Sequence, residues 1–150
     1  YDIGGGFIKP IKALQVGGPL GGVIPIKEVE KLNLDFQEFT KAGFMLGHGG
    51  IVSIPDDFNM IKYIHHLFKF SAEESCGKCF PGRLGSYRGK EMFDQAINKT
   101  NKIPIKLLNE LLVTMQKGSL CALCGAIPLP IQNILKYFTD EFKTDINQEA

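Results

Sequence analysis

The feature that most constrains this chain is a pair of C-x-x-C motifs, Cys76/Cys79 and Cys121/Cys124, with 41 residues between them. Four cysteines in a secreted chain of this size would suggest two disulfides. Here 44% of the 150 residues are hydrophobic, enough to bury a core without covalent staples. Closely spaced pairs suit a shared metal or cluster better than structural disulfides, and they place the chain in a reducing compartment. The first pair lies in ESCGKCFPGRLGSYRG, residues 74–89. A further C-x-x step from Cys79 falls on Gly82, so a three-cysteine motif is one ligand short there.

The texture of the chain changes near residue 57, which predicts an α+β fold in two parts, 1–57 and 58–150. The first part is rich in glycine and β-branched residues; Ile11 to Val16 and Ile51 to Ile54 read as strands. Between them Asp35 is placed to cap a short helix, FQEFTKA, ended by Gly43. His48, in GHGG, reads as a loop residue. From Asp57, read as an N-cap, the period becomes helical, with Ile61, Ile64, Leu67 and Phe68 on one face. His65 and His66 are neighbours in sequence and cannot face one point on a helix, so they read as surface or packing residues. Pro81 suits the first turn of a second helix reaching about Ile97. Pro104 opens a third, with Leu107, Leu108, Leu111, Leu112 and Met115 on one face and Gly118 at its end. Pro130 opens a fourth, carrying Ile131, Ile134, Leu135, Phe138 and Phe142.

Four amphipathic helices with short links predict a small up-down-up-down bundle. The cysteine pairs then fall in the loop between helices one and two and the loop between helices three and four. Those loops lie at one end of such a bundle, so the topology gathers all four thiols.

Four converging thiolates hold a [4Fe–4S] cluster, a [2Fe–2S] cluster or a tetrahedral Zn²⁺. Net charge does not choose between a [4Fe–4S]²⁺ core and zinc, since either with four thiolates carries −2. The chain has two arginines among its 17 basic residues, Arg83 and Arg88, both just after the first pair, and Lys78 lies inside it. Cations at these positions would offset an anionic site and raise its reduction potential. Gly77, Gly82, Gly85 and Gly89 each weaken a helix by roughly 1 kcal/mol relative to Ala. Such a run beside the cysteines predicts close approach of the backbone to something bulky, which favours an Fe–S cluster.

Other functions find little support. The formal charge of +1 carries no basic stripe for nucleic acid, and no apolar run approaches a membrane span. No His or Asp is placed by sequence beside a nucleophile.

The motif ESCGKC, followed by P-x-R-x-G-S-x-R-G and, about forty residues on, GSLCAL-x-G-x-x-P-x-P, resembles the C-terminal part of a known redox subunit. That subunit binds flavin and NADH in respiratory complex I, NAD-linked hydrogenases and NAD-dependent formate dehydrogenases. KALQVGGPLGGVIP and AGFMLGHGGIVSIP resemble its soluble-ligand-binding β-grasp domain, here in partial form. The resemblance implies a [4Fe–4S] cluster held by C-x-x-C-x-x-C and one distant cysteine. Cys76, Cys79 and Cys121 match three of those ligands. Gly82 stands where the family has its third cysteine, and Cys124 stands where the family usually has glycine. The expectation is therefore that Cys124 replaces the missing ligand.

The resemblance further implies electron transfer between flavin mononucleotide and the Fe–S clusters of partner subunits, on the cytoplasmic or matrix face of a complex. Nothing in the chain matches the FMN- and NADH-binding domain: neither GGGF nor GGPLGG opens a helix as a dinucleotide fingerprint must. The chain alone is thus not expected to oxidise NADH. The competing reading is a structural zinc or metal-free module that docks onto a redox complex.

Overall fold

The computed structural model describes residues 3–147; the first two and last three residues lie outside it. Its sheet is small. Strand β1 (Ile11–Val16) lies between β2 (Gly22–Pro25) and β3 (Ile51–Pro55), antiparallel to both. The β1–β2 hairpin turns through Gly17 and Gly18, both at positive φ (+94° and +82°), which side chains rarely adopt. Helix α1 (Ile26–Val29) and helix α2 (Phe36–Lys41) cover one sheet face around Leu14, Val16, Ile24, Phe39 and Phe44. Asp35 caps α2, accepting from the backbone N–H of Gln37 and Glu38, and Gly43 ends it at φ +81°.

The rest is helical: α3 (Met60–Glu74), α4 (Phe80–Ile97), α5 (Ile105–Gly118), α6 (Ala122–Ala126) and α7 (Pro128–Tyr137). A two-residue parallel pair, β4 (Ile103–Pro104) with β5 (Ile146–Asn147), closes the end of the chain. This is the expected α+β arrangement, with α3, α4, α5 and α7 as the four long helices. Several boundaries differ from expectation. Asn59 rather than Asp57 caps α3, because residues 55–58 form a turn (Phe58 N–H to Pro55 O, 3.1 Å) that delays the helix by two residues. Pro128 rather than Pro130 opens α7, its missing N–H costing nothing in the first turn. Phe142 is buried in a 3₁₀ turn beyond α7, and Leu107 points outward from α5 at 41% exposure.

One core runs through both parts, from Ala13, Val23 and Ile54 of the sheet to Phe68, Phe93, Leu112 and Ile131 of the helices. Asn133 on α7 joins them: its Oδ1 accepts from Val23 N–H at 3.2 Å and its Nδ2 donates to Gly43 O at 3.1 Å. Asn133→Ala strands a buried N–H and lowers unfolding stability by about 2 kcal/mol, measurable by urea titration. Tyr63 of α3 makes a second tie, donating to Gln15 Oε1 of β1, and its burial pushes the phenol pKa up to about 12. A third is Lys12, paired at 2.6 Å with Glu141, whose other oxygen accepts from Met60 N–H at the start of α3. The cysteine loops are therefore carried on a braced frame.

Candidate cluster site on two adjoining loops

Cys76 sits in the turn between α3 and α4, where Gly77 adopts φ +72° and donates its N–H to Ser75 Oγ. Gly77 therefore belongs to this loop, not to the helix with which its spacing groups it. Cys79 is the N-cap of α4, and its carbonyl accepts from Arg83 N–H at 3.0 Å. On the other loop Cys121 is the N-cap of α6, a helix that apolar spacing does not predict. Gly125 N–H closes on Cys121 O at 3.2 Å, and that single turn carries Cys124 inward to 3% exposure.

The two loops adjoin, as an up-down-up-down order requires. A Cβ at Gly118 would lie 3.0 Å from Pro81 Cγ. Hydrogen bonds from the backbone of Leu120, then from that of Gly82, hold the Cys79 thiol below its ordinary pKa. A donor from the second loop thus stabilises a thiolate on the first.

Position 82 is the centre of the arrangement. A Cβ built on Gly82 would stand 3.0 Å from Cys79 Sγ, 3.0 Å from Cys124 Sγ and 3.1 Å from Cys124 Cβ. The sulfur of Cys124 therefore fills the space that a side chain at 82 would enter. Gly85 and Gly89 serve a different purpose from the one their proximity to the cysteines suggests. Their missing side chains make room for Met115 and for Phe68, so they seat α4 on α5 and α3.

Cys79 and Cys124 face each other across Gly82, whereas Cys76 and Cys121 are exposed on the flanking loops. Among the described residues no three Cys, His, Asp or Glu side chains gather closely enough to hold a metal ion. A tetrahedral zinc site would draw its thiolates to about 3.8 Å from one another, as follows from Zn–S bonds of about 2.3 Å. The donor types present, thiols on two adjoining loops with backbone donors on Cys79 and Cys124 beside it at Gly82, suit an all-sulfur-ligated group.

The surrounding cations divide. The Arg83 guanidinium lies 5.1 Å over the exposed Phe80 ring, with its side chain against Gly77 on the cysteine loop. Lys78 is exposed on that same loop. Arg88 pairs with Glu91 at 2.6 Å on the outer side of α4, beside Leu84 and Tyr87, away from the Gly82–Gly85–Ser86 face that meets the thiols and the core. The histidines stay out of the site: His48 accepts from Gly50 N–H in a loop, His66 is exposed, and His65 Nε2 meets Asp94 2.7 Å away.

Two further residues lie against Cys124: Ser71, which no sequence motif marks, and Ser86, the serine of P-x-R-x-G-S-x-R-G, to which the motif gives no role. Ser71 of α3 and Ser86 of α4, both fully buried, stand 2.8 Å apart, and their hydroxyls lie 3.7 and 3.9 Å from Cys124 Sγ. The available signal is a hydroxyl on an apolar stripe: Ser71 continues the face of Ile64, Leu67 and Phe68.

Comparison with known proteins fits this geometry. Residues 62–145 match the family model of the NADH-ubiquinone oxidoreductase-F iron-sulfur binding region, a 4Fe–4S family. The NADP-reducing hydrogenase subunit HndC of Solidesulfovibrio fructosivorans is 30% identical over 152 aligned positions, covering 99% of this chain and 31% of that protein. The F subunit of NADH-quinone oxidoreductase from Rickettsia bellii (strain OSU 85-389) is 32% identical over 137 positions, covering 91% and 33%. The chain therefore spans about a third of the length of these curated relatives. A crystal structure of an NAD⁺-reducing [NiFe]-hydrogenase in the H₂-reduced state shares the fold, with a TM-score of 0.82 over 95% of this chain and 24% of that one, at 22% identity. Among the described residues no helix is long and apolar enough to cross a membrane. With the match running from within α3 to the end of the helical part and both cysteine pairs inside it, the chain belongs to the iron–sulfur binding region family of the NADH-ubiquinone oxidoreductase F subunit.

Proposed function

We propose that this chain relays single electrons through a [4Fe–4S] cluster ligated by Cys76, Cys79, Cys121 and Cys124. The observation that carries the reading is Cys124 Sγ lying 3.0 Å from where a residue-82 side chain would begin. This supports a sulfur donor kept beside Cys79, although its position in the sequence differs. When bound, such a cluster supplies one-electron transfer at a potential set by its ligands, hydrogen bonds and exposure.

The protein's share is ligation and environment. Backbone N–H groups directed at Cys79 favour its thiolate. The turn of α6 holds Cys124 inside the bundle end, and the exposed Cys76 and Cys121 complete the donor set from the rims of the two loops. Arg83 and Lys78 stand as the nearby cations; Arg88, committed to Glu91, contributes less than its place in the sequence suggests. Residues 1–57 act as the partial β-grasp-like part and residues 58–150 as the cluster-binding part.

The relatives are subunits of a hydrogenase and a quinone oxidoreductase, which supports partners that include an FMN- and NADH-binding domain and further Fe–S subunits. In that setting the site works on the cytoplasmic or matrix face of a complex, and the chain alone does not oxidise NADH. Protein purified anaerobically is expected to be brown and to bleach with dithionite. A colourless preparation, with no visible band to bleach, would end the electron-relay reading.

A further inference from the structure

Two fully buried hydroxyls in an otherwise apolar helix interface require a reason, because an unpaired buried hydroxyl costs stability and alanine would pack there. Ser86 has a local partner: its Oγ donates to Gly82 O, one helical turn back, at 2.6 Å. Ser71 has none of that kind. Its hydroxyl reaches Ser86 Oγ at 2.8 Å and Cys124 Sγ at 3.7 Å, within the longer reach of a sulfur acceptor. Both serines flank the one buried thiol of the four.

We infer that Ser71 and Ser86 form a hydroxyl relay that donates to Cys124 Sγ and sets the reduction potential of the group bound there. The inference rests on the four-thiol reading above. Each hydroxyl carries one hydrogen, so the chain of bonds has two self-consistent directions. When Cys124 is a protonated thiol, Ser71 donates to Ser86 and Ser86 donates to Gly82 O. When Cys124 Sγ is a thiolate ligand, both hydroxyls rotate: Ser86 donates to Ser71, and Ser71 donates to the sulfur. Gly82 O gives up only this second bond, since it lies inside α4 with its helical partner. No proton is gained or lost by the serines; only their hydrogens turn.

A donor on a ligating sulfur stabilises the more negatively charged, reduced state and so raises the potential. Ser71 and Ser86 are thus positioning residues acting through Cys124.

The test is an EPR-monitored redox titration of the anaerobically purified 150-residue protein, with iron and sulfide determined on the same samples. Ser71→Ala is expected to keep its iron and sulfide, while the ratio of reduced to oxidised cluster at the wild-type midpoint falls about fivefold, the size of one hydrogen bond. Ser86→Ala shifts the ratio the same way by less, and the double variant matches Ser71→Ala, because the two serines act in series. If Ser71→Ala fails to assemble, the Ser86→Ala shift carries the test. Full cluster content with an unmoved midpoint in the assembled variants would overturn the relay and leave the four-thiol site standing. Wild-type protein without iron and sulfide would overturn that site and the relay with it.

Discussion

Cys124→Gly loses the cluster, and adding Gly82→Cys to that variant restores it. The first half follows from the donor count: without Cys124, three thiols remain, and none of them is buried. The second half follows from geometry. A Cβ at residue 82 enters the space next to Cys79 Sγ and 3.0 Å from the present Cys124 Sγ. Removing the Cys124 side chain frees that space, and a cysteine at 82 returns sulfur to it. Gly82→Cys alone behaves differently. With Cys124 still present its Cβ sits at 3.0–3.1 Å from three atoms of the two cysteines, closer than side chains ordinarily pack, so the single variant crowds the site. Iron-to-protein ratios of the three variants separate these cases. Full iron retention in Cys124→Gly would show that the ligand set does not include this residue.

Gly89→Ala destabilises the protein far more than Gly85→Ala, although the residues are one turn apart on α4. The methyl at 89 would lie 2.2–2.4 Å from three atoms of the Phe68 ring, which is fully buried and packed at 5.8 Å against Phe93. That ring cannot turn aside without displacing a second ring, and such overpacking costs about 3 kcal/mol. Replacing a helical glycine returns about 1 kcal/mol. The net loss is about 2 kcal/mol, a fall in melting temperature on the order of 6 °C for a chain of this length. At 85 the methyl meets Met115 Cγ and Sδ at 2.7 and 2.9 Å, and a flexible thioether side chain can move. The gain in helix propensity then roughly cancels the crowding. Equal melting temperatures for the two variants would contradict this seating of α4.

The contrast shows where the sequence is readable. The long helices follow from apolar spacing, because α3, α5 and α7 each bury one face and their prolines and caps mark the ends. The placement of both cysteine pairs at one end of the bundle follows from chain order alone. Features fixed by tertiary packing escape it. The four-residue β2 is too short to show a period and forms because β1 offers it a partner. The single turn of α6 resembles a loop in sequence, yet it decides that Cys124 faces inward while Cys121 stays exposed. The glycines of α4 share one sequence pattern but serve two purposes, since what each faces depends on α3, α5 and α6. Arg88 resembles a charge partner of the site until Glu91, three residues on, claims it. Ser71 is visible only as a hydroxyl on an apolar stripe, with nothing local to say what it meets.

The measurement that tests the central claim most directly is iron and acid-labile sulfide per chain in anaerobically purified wild-type protein. Four thiols around one [4Fe–4S] cluster predict about four of each per chain. One zinc per chain with no sulfide would contradict the cluster and leave a structural metal in its place.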